Sequence, residues 1–342
     1  MRIDLPAEPQ RILIIKPSAL GDIVHALPVL KLLRTRFPDA VIDWLVVPAF
    51  ASLLDGHPLL NDVIRFDRKA LAGWWKNWEQ AKSLFAFARD LRRRQYDLVI
   101  DLQGLLRSGW MTWQTRAATR VGFGYAREFA PLAYTHRVPQ PTPERHAVER
   151  YLDTAEALGC GRGPVEFDFA VADADRAAAR QLVGGSERYA VLLPGTNWPT
   201  KRWPVEHFAA LVRPLREERG LDVFVAGAAD VAGLELPGAA SVAGRTSLKQ
   251  LVALLEGASV VVANDSGPMH IAAALGVPLV TPFGPTNPVR TGPYGRMETV
   301  IQLDLVCRPC YSRTCSHQSC MKWVTPPDVM RLIPSPGTPG EG

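Results

Sequence analysis

The sequence RILIIKPSALGDIVHALPVLKLL, residues 11–33, predicts a strand, a turn and a helix in that order. Its first part is apolar and β-branched, which favours a buried strand, and its last part has the length and periodicity of a helix. In many nucleotide-binding folds the turn after such a strand is rich in glycine and binds phosphate. Here the turn holds one glycine, Gly21, followed by the acid Asp22. Because that charge would repel phosphate, we expect this turn to have another role.

The same alternation of strand and helix continues along the chain. Strands are predicted at residues 41–47, 62–66, 96–102, 189–195, 222–227, 259–265 and 278–284, and helices at 23–36, 74–95, 204–218, 247–255 and 268–275. Strands and helices in series imply parallel sheets, so we predict an α/β fold of two similar halves facing across a cleft. The linker-like stretch GCGRGP (159–164) puts the boundary between about residues 160 and 185. We therefore divide the chain into domains 1–170 and 171–333, with a Pro/Gly-rich tail, 334–342, that is predicted to be disordered.

The composition predicts a cytoplasmic globular protein. No apolar run reaches the ~18–20 residues of a membrane span, and the acidic, proline-broken start MRIDLPAEPQ is unlike a signal peptide. The net charge of +5 is small and scattered, so no nucleic-acid partner is expected, although a negatively charged substrate would suit it. In the cytoplasm the five cysteines are expected to be free thiols or metal ligands.

The stretch LLPGTNWPTKRWPVEHFAALV (192–212) predicts an anion-binding loop. A buried strand runs into Gly195 and Thr196, and Lys201 comes just before a helix. Backbone N–H groups, the hydroxyls of Thr196 and Thr200 and the ammonium of Lys201 can together bind an anion. The alternative is a proline-rich loop with a solvated lysine, because the spacing does not match a Walker A motif.

The stretch VVVANDSGPMHIAAALG (260–276) predicts a second ligand-binding turn. Asp265, Ser266 and Gly267 follow a strand, and Pro268 opens a helix at a position that proline tolerates. Such a turn lies outside the carboxyl end of a strand, where α/β folds bind ligands. As alternatives, Asp265 caps the helix and His270 is a hydrogen-bonded core histidine.

Two roles are open for Asp22. Aspartate is among the best N-cap residues, and the predicted helix begins directly after it. If the second half binds an anionic nucleotide, a carboxylate in the first half is available to take a proton from an acceptor hydroxyl.

Four ordered stretches resemble glycosyltransferase family 9, the lipopolysaccharide heptosyltransferases. They are KPSALGDIVHALPVL (16–30), YDLVIDLQGLLRSG (96–109), LLPGTNWPTKRWPVEHF (192–208) and NDSGPMHIAAALGVPLVTPFGPTNP (264–288). The resemblance runs from about residue 11 to 330. Within the family, HAVERYLDTAEALG (146–159) is most similar to the heptosyltransferase I type.

The resemblance implies a GT-B fold of two Rossmann-like domains, with the acceptor bound by the first and the donor by the second. It implies an inverting transfer of heptose from ADP-heptose to the 3-deoxy-manno-octulosonic acid of lipid A, without a catalytic cofactor. By position, Asp22 matches the general base. The donor-binding positions are matched by Thr196, Lys201, Asp265, Ser266, Gly267 and His270. The chain departs from the family after the strand DVFVAG (222–227), where only Asp230 stands near the position of a glutamate thought to hold the nucleoside.

An acidic, lipid-linked acceptor is expected to bind to positively charged side chains. Arg65, Arg68 and Lys69 follow a predicted strand, and Arg107 follows DLQG, so these four are candidates for the carboxylates and phosphates of the acceptor. Loosely held surface arginines are the alternative.

Two further features concern partners. The predicted helix 71–94 carries Trp74, Trp75 and Trp78 before basic residues, a composition compatible with peripheral contact with the inner membrane or with packing on the sheet. A monomer is expected.

The segment CRPCYSRTCSHQSC (307–320) holds four cysteines in one short loop, namely Cys307, Cys310, Cys315 and Cys320. Four thiols so close in sequence predict a structural zinc site, although the spacing C-x2-C-x4-C-x4-C is irregular. Reduced thiols are the alternative. Similar segments are typical of the heptosyltransferase II type, so the loop favours that type or another family 9 acceptor specificity.

Two functions from other classes of protein have less support in the sequence. A protein that only binds nucleotide would not need Asp22, and a dehydrogenase is disfavoured because no G-x-G-x-x-G opens a helix after a strand.

Overall fold

A computed structural model describes residues 2–67, 77–139, 142 and 144–335. The chain divides into two compact units, Met1–Ala170 and Val171–Gly342. Arg68, Lys69, Trp74, Trp75 and the tail from residue 336 lie outside the described residues.

The first unit is built on one parallel sheet. Its strands are β1 (Arg11–Ile15), β2 (Val41–Val46), β3 (Asp62–Arg65), β4 (Leu98–Asp101), β5 (Thr119–Phe123) and β6 (His136–Val138). Its helices are α1 (Leu20–Arg36), α2 (Pro48–Leu54), α3 (Trp78–Arg93), α4 (Leu106–Gln114) and α5 (Ala147–Ala157), with a short 3-10 helix at Ala130–Ala133. The strand order is β3-β2-β1-β4-β5-β6, and every neighbouring pair is parallel.

The second unit repeats this plan. Its strands are β7 (Tyr189–Leu193), β8 (Asp222–Val225), β9 (Ala240–Ser241), β10 (Val260–Ala263), β11 (Leu279–Phe283) and β12 (Val300–Gln302). Its helices are α6 (Asp173–Leu182), α7 (Val205–Glu217), α8 (Leu248–Glu256), α9 (Gly267–Ala274), α10 (Pro288–Thr291), α11 (Ser319–Lys322) and α12 (Pro326–Leu332), with 3-10 helices at Pro199–Lys201, Ala229–Val231 and Met297–Thr299. The strand order is β12-β11-β10-β7-β8-β9, again all parallel.

Both sheets have the Rossmann strand order, which reverses direction once. In the first unit the chain moves outward from β1 to β3 and then returns to place β4 on the other side of β1. In the second unit β10 returns beside β7 in the same way. Ligands in such sheets bind outside the carboxyl ends of the strands at the reversal, the topological switch point. The switch points here are β1/β4 and β7/β10.

The central strands are buried on both faces, which explains their unbroken apolar runs. In β1 the side chains of Ile12, Leu13, Ile14 and Ile15 are fully buried. The second unit packs the large side chains of Trp203 and Phe208, among others, against β7, β8 and β10.

Every strand and helix predicted from sequence is present within the described residues, so the α/β assignment is confirmed. Strands β6, β9 and β12 were missed because each has only two or three residues, and β5 was missed because it lacks a continuous apolar run. None of the described helices is long and apolar enough to cross a membrane.

Gly122 of β5 gives the first unit a close approach that no other residue would allow. A Cβ added at Gly122 would clash with the ring carbons of Tyr134, much nearer than any real contact. The Tyr134 hydroxyl donates a 2.6 Å hydrogen bond to Oδ2 of Asp101, which is fully buried at the end of β4. The glycine therefore allows the phenol to reach that carboxylate.

We expect Gly122→Ala to lower the free energy of unfolding of the first unit by ~1–3 kcal/mol, since Tyr134 must move and Asp101 loses a partner. Chemical denaturation followed by circular dichroism measures this. Gly163→Ala is the matched control, because its added methyl group would meet only Leu32, at 3.5 Å. Equal stability of the two variants would contradict the role assigned to Gly122.

Candidate functional site

Asp22 lies at the first switch point with its carboxylate partly exposed. It occupies the third position of α1, whose N-cap residue is Ala19, so the alternative that Asp22 is the N-cap residue is wrong. The helix begins one turn earlier than predicted, and the side chain reaches back so that Oδ2 accepts a hydrogen bond from the Ala19 N–H at 3.2 Å. The Tyr151 hydroxyl donates to Oδ1 at 3.4 Å, and 38% of the side chain remains exposed.

Lys16 is a site residue that sequence reasoning missed. Its ammonium lies 3.6 Å from Oδ2 of Asp22, donates to the Leu102 carbonyl at 3.1 Å and stands 5.0 Å above the ring of Tyr151. Burial lowers the pKa of Lys16, and the nearby carboxylates of Asp22 and Asp101 oppose that shift. The available signal was a lysine directly after a fully buried strand, where a charged side chain needs partners.

Asp101 provides the second negative charge near Lys16. Its Oδ1 accepts from the N–H groups of Gln103 (2.8 Å) and Gly104 (3.1 Å), and Tyr134 donates to Oδ2. Burial raises the pKa of Asp101, and these hydrogen bonds oppose that shift. The charge of Lys16 is thus positioned by groups at the ends of both β1 and β4.

The acceptor candidates that are described lie at the same edge of the sheet as Asp22. Arg65 ends β3, and Arg107 lies in the exposed first turn of α4, directly after β4. Parallel strands end at one edge, so the order β3-β2-β1-β4 puts Arg107 beside the switch point and Arg65 two strands away. Arg65 is half exposed and pairs with both carboxylate oxygens of Asp55, at 2.7 and 2.8 Å.

The second switch point brings together the loop after β7 and the turn after β10. The ammonium of Lys201 lies 2.7 Å from Oδ2 of Asp265, and Thr196 donates from its hydroxyl to the Asp265 carbonyl at 2.9 Å. Asp265 is only 5% exposed. Lys201 is therefore neither solvated nor distant from the second motif, because the two predicted ligand-binding stretches form one cluster.

Three further residues position this cluster and were not predicted. Asn264 accepts from the Trp203 N–H at 2.9 Å and donates to the Pro194 carbonyl at 2.7 Å, which joins the β7 loop to β10. Thr286, after β11, donates to Oδ2 of Asp265 at 2.6 Å. The ring of Trp198 lies 4.7 Å below the ammonium of Lys201. The sequence offered no signal for the pairings of Asn264 and Thr286 because they join distant loops.

The remaining donor candidates lie at the start of α9. Ser266 is its N-cap residue, and Gly267 is its first residue. The Ser266 hydroxyl is buried without a hydrogen-bond partner among the described residues. His270 is buried at 8% exposure on the same helix. The positive end of the α9 dipole points out of this turn and favours an anion there.

Asp230 approaches the same cluster from the end of β8. It lies in the 3-10 helix Ala229–Val231, is exposed, and its carboxylate oxygens are 3.6 and 3.8 Å from the position of a Cβ built on Gly195. An acid is thus present at the edge of the predicted anion-binding loop.

The cysteine loop packs beside the second switch point. The Thr200 hydroxyl donates to the Ser312 carbonyl at 2.7 Å, and the Tyr311 N–H donates to the Pro285 carbonyl at 2.9 Å. Burial raises the pKa of the Cys320 thiol, the charge of Arg308 opposes that shift, and the neighbouring thiols of Cys307, Cys310 and Cys315 add to it. Within the described ranges, however, no three histidine, cysteine or acidic side chains converge as a metal site would require. The geometry therefore does not assemble the predicted zinc site.

Two α/β units of Rossmann strand order, with polar side chains gathered at both switch points, are the architecture of GT-B glycosyltransferases. Residues 84–321 match glycosyltransferase family 9 (heptosyltransferase). The chain is 36% identical over 328 residues to lipopolysaccharide heptosyltransferase 1 of Pseudomonas aeruginosa, covering 90% of this chain and 88% of that protein.

Two solved structures are similar along most of both chains. The Escherichia coli heptosyltransferase WaaC with ADP-2-deoxy-2-fluoro heptose has a TM-score of 0.74 and 27% identity, and covers 94% of this chain and 98% of that one. The E. coli ADP-heptose lps heptosyltransferase II has a TM-score of 0.74 and 26% identity, with coverages of 94% and 97%. The chain belongs to glycosyltransferase family 9, the heptosyltransferases. The predicted family, its heptosyltransferase I type and the GT-B fold class are confirmed.

Proposed function

We propose that this glycosyltransferase moves L-glycero-D-manno-heptose from ADP-heptose to the 3-deoxy-manno-octulosonic acid of lipid A, in the synthesis of the lipopolysaccharide inner core. The observation that carries the proposal is the cluster of Lys201, Asp265 and the α9 N-terminus at the second switch point, which has the chemistry to bind a diphosphate. The heptosyltransferase 1 relative and the solved complex with an ADP-heptose analogue support the choice of donor.

The donor diphosphate binds at Lys201 without displacing Asp265. An ammonium carries three donors, so it can contact the carboxylate and a phosphate oxygen together. Because Lys201 and Thr286 already face Oδ2 of Asp265, the repulsion between that acid and the diphosphate is reduced. We assign Thr196, Ser266, Gly267 and His270 to the same donor site, and Asp230 to the hydroxyls of the ribose.

The acceptor binds to the first unit, at domain 1–170, where Arg65 and Arg107 would meet its carboxylates and phosphates. Arg65 would then share its guanidinium between Asp55 and the acceptor. Arg68 and Lys69 stay candidates for the same role. Domain 171–333 is the donor domain in this proposal.

The reaction is a single displacement with Asp22 as the base. Asp22 takes the proton of the acceptor hydroxyl while that oxygen bonds to the anomeric carbon of the heptose, and the bond from that carbon to the diphosphate oxygen breaks. Configuration inverts, and ADP leaves with its new charge facing Lys201 and the α9 dipole. One carboxylate suffices for this chemistry, so the proposal needs no catalytic cofactor. Lys16 acts through Asp22 as a positioning residue.

The site of action follows from a lipid-linked acceptor. We propose that the chain works as a monomer in the cytoplasm, in peripheral contact with the inner membrane.

A heptosyltransferase II type is the second candidate for acceptor specificity, favoured by the cysteine loop. A direct comparison of acceptors, 3-deoxy-manno-octulosonic acid-lipid A against the same lipid already carrying one heptose, separates the two. Turnover of only the second acceptor would replace the first proposal.

We also retain the proposal of a structural zinc ion at Cys307, Cys310, Cys315 and Cys320. It requires these side chains to converge more closely than they do in the structure.

We expect purified protein that holds this zinc to carry close to one equivalent by elemental analysis, with the four thiols protected from a thiol reagent until a chelator is added. Cys160 is the reference for a thiol that is shielded without metal, because burial raises its pKa to about 12, so it should stay unreactive before and after chelation. Metal-free, folded protein with all four loop thiols reactive would establish reduced thiols instead.

Lys201→Ala should weaken ADP binding ~10- to 100-fold and reduce turnover with it, because a charged hydrogen bond to phosphate acts in both the ground state and the transition state. The measurement is the rise in melting temperature with ADP concentration, which reports Kd. Lys322→Ala, which removes an exposed lysine of α11 in the same unit, is the control. Unchanged ADP affinity in Lys201→Ala would refute the anion site.

Asp22→Asn should lower kcat ~10²- to 10⁴-fold while ADP affinity stays close to that of the wild type, because the amide cannot take the proton. Asp175→Asn is a matched control for the capping role alone. Asp175 also occupies the third position of its helix, and its Oδ2 accepts from the Ala172 N–H at 3.2 Å.

Asp22→Asn also leaves Lys16 with one carboxylate fewer, so we expect it to be less stable than Asp175→Asn. Rates are therefore measured at a temperature at which circular dichroism shows both variants to be folded. A wild-type rate for Asp22→Asn would limit Asp22 to a capping role.

A further inference from the structure

The first unit exposes four large apolar side chains around one groove. Leu106 and Trp113 of α4 are 56% and 48% exposed, while Phe129 and Leu132, at the 3-10 helix, are 79% and 76% exposed. The groove between them has a volume of about 300 Å³, and every residue that lines it is apolar or glycine. We call Leu106, Trp113, Phe129 and Leu132 the α4 patch. Contiguous exposed apolar surface of this kind marks an interaction site.

The two elements that carry the patch, α4 and the 3-10 helix Ala130–Ala133, pack closely against each other. A Cβ at Gly109, in the middle of α4, would lie 3.0 Å from Cα of Ala130 and 3.2 Å from its carbonyl oxygen. Glycine inside a helix is unfavourable, so its presence here is accounted for by the approach of the 3-10 helix. That approach puts Phe129 and Leu132 beside the exposed face of α4.

Phe129 is held outward by an unusual backbone. Its φ is 62° and its ψ is 10°, in the left-handed region that bulky side chains rarely adopt, and Glu128 before it has φ 56°. The exposed ring gains little contact within the unit in return. Strain of this kind indicates a function outside the packing of the fold.

The segment that builds the patch carries mostly positive charges. Residues 102–137 contain five arginines, at 107, 116, 120, 127 and 137, and one acid, Glu128. Three of the five contact the patch elements. Arg116 stacks 5.5 Å from the ring of Trp113, Arg120 donates to the Ala133 carbonyl at 2.8 Å, and Arg137 donates to the Pro131 carbonyl at 3.1 Å.

We infer that the α4 patch docks on an anionic lipid bilayer. Aromatic and aliphatic side chains insert at the boundary between head groups and acyl chains, and the arginine rim pairs with lipid phosphates. An apolar centre with a positively charged rim complements an anionic bilayer better than it complements a neutral bilayer. The inference rests on the proposed function, because a lipid-linked acceptor is the reason for the protein to bind a membrane. It assigns the membrane contact to α4 and not to the predicted helix 71–94.

The test is sedimentation of the full chain with vesicles of phosphatidylcholine alone or with ~30% phosphatidylglycerol, without donor or acceptor. The wild type should bind the anionic vesicles at least ~10-fold more tightly than the neutral ones, and binding should weaken as salt rises from ~0.05 to ~0.5 M. The double variant Phe129→Asn/Leu132→Gln should lower the affinity at least ~10-fold. Asparagine suits the left-handed backbone, so this variant should fold.

A matched control is Trp78→Gln/Phe85→Gln, which removes two apolar side chains that are 75% and 66% exposed on α3 of the same unit. It should bind within ~2-fold of the wild type if the α4 patch is the docking surface. Absence of wild-type binding, equal binding to neutral vesicles, or loss in the control and not in the patch variant would overturn the inference.

Sedimentation velocity without lipid then measures whether the chain is a monomer or a dimer. A dimer of the wild type that the patch variant dissociates would assign the patch to a second copy of the chain and also overturn the inference. The vesicle experiment contains no donor or acceptor sugar, so a negative result does not bear on the proposed roles of Lys201 and Asp22. Negative results for the Lys201 and Asp22 variants likewise do not bear on vesicle binding.

Discussion

The reversal of strand order at the centre of each sheet is the constraint on which both sites depend. At β1/β4 and β7/β10 the connections leave in opposite directions, so the carboxyl ends of two neighbouring strands have space above them. Strands in that position are covered on both faces and read as unbroken apolar runs. The first polar residue after such a run, Lys16 after β1 or Asn264 after β10, therefore stands at the edge of that space.

Each switch point holds a lysine between a carboxylate and an aromatic ring. Lys16 has Asp22, the Leu102 carbonyl and the ring of Tyr151, and Lys201 has Asp265 and the ring of Trp198, with the Asp265 carboxylate shared by Thr286. Buried ion pairs of this kind add little net stability, because desolvation offsets the Coulomb attraction. Their value lies in fixing where a charge is, which is what binding a diphosphate or orienting a base requires.

How far the sequence could predict this structure depends on the range of the interactions. The central strands, the helices after them and the positions of the polar stretches at Asp22, Lys201 and Asp265 could be predicted, since each is a local pattern at the end of an apolar run. The sequence could not show that Asp22 is the third residue of α1 and not its N-cap residue, because the backbone of Ala19 sets where the helix begins. The pairings of Thr286 with Asp265 and of Tyr134 with Asp101 were not readable, because they join segments 21 and 33 residues apart.

The two carboxylates at the switch points differ in a way that decides which can act as a base. Asp265 is 5% exposed, and a lysine at 2.7 Å and a hydroxyl at 2.6 Å both face its Oδ2. The side chain of Asp22 is 38% exposed, and its three polar neighbours lie at 3.2, 3.4 and 3.6 Å. A base must expose an oxygen to the hydroxyl it deprotonates and must change charge without breaking a tight pair. Asp22 satisfies both conditions, whereas both groups that face Oδ2 of Asp265 hold it in a tight pair, which the proposed donor site uses. In the proposed mechanism these contacts suit Asp22 to the role of base and Asp265 to the role of holding Lys201.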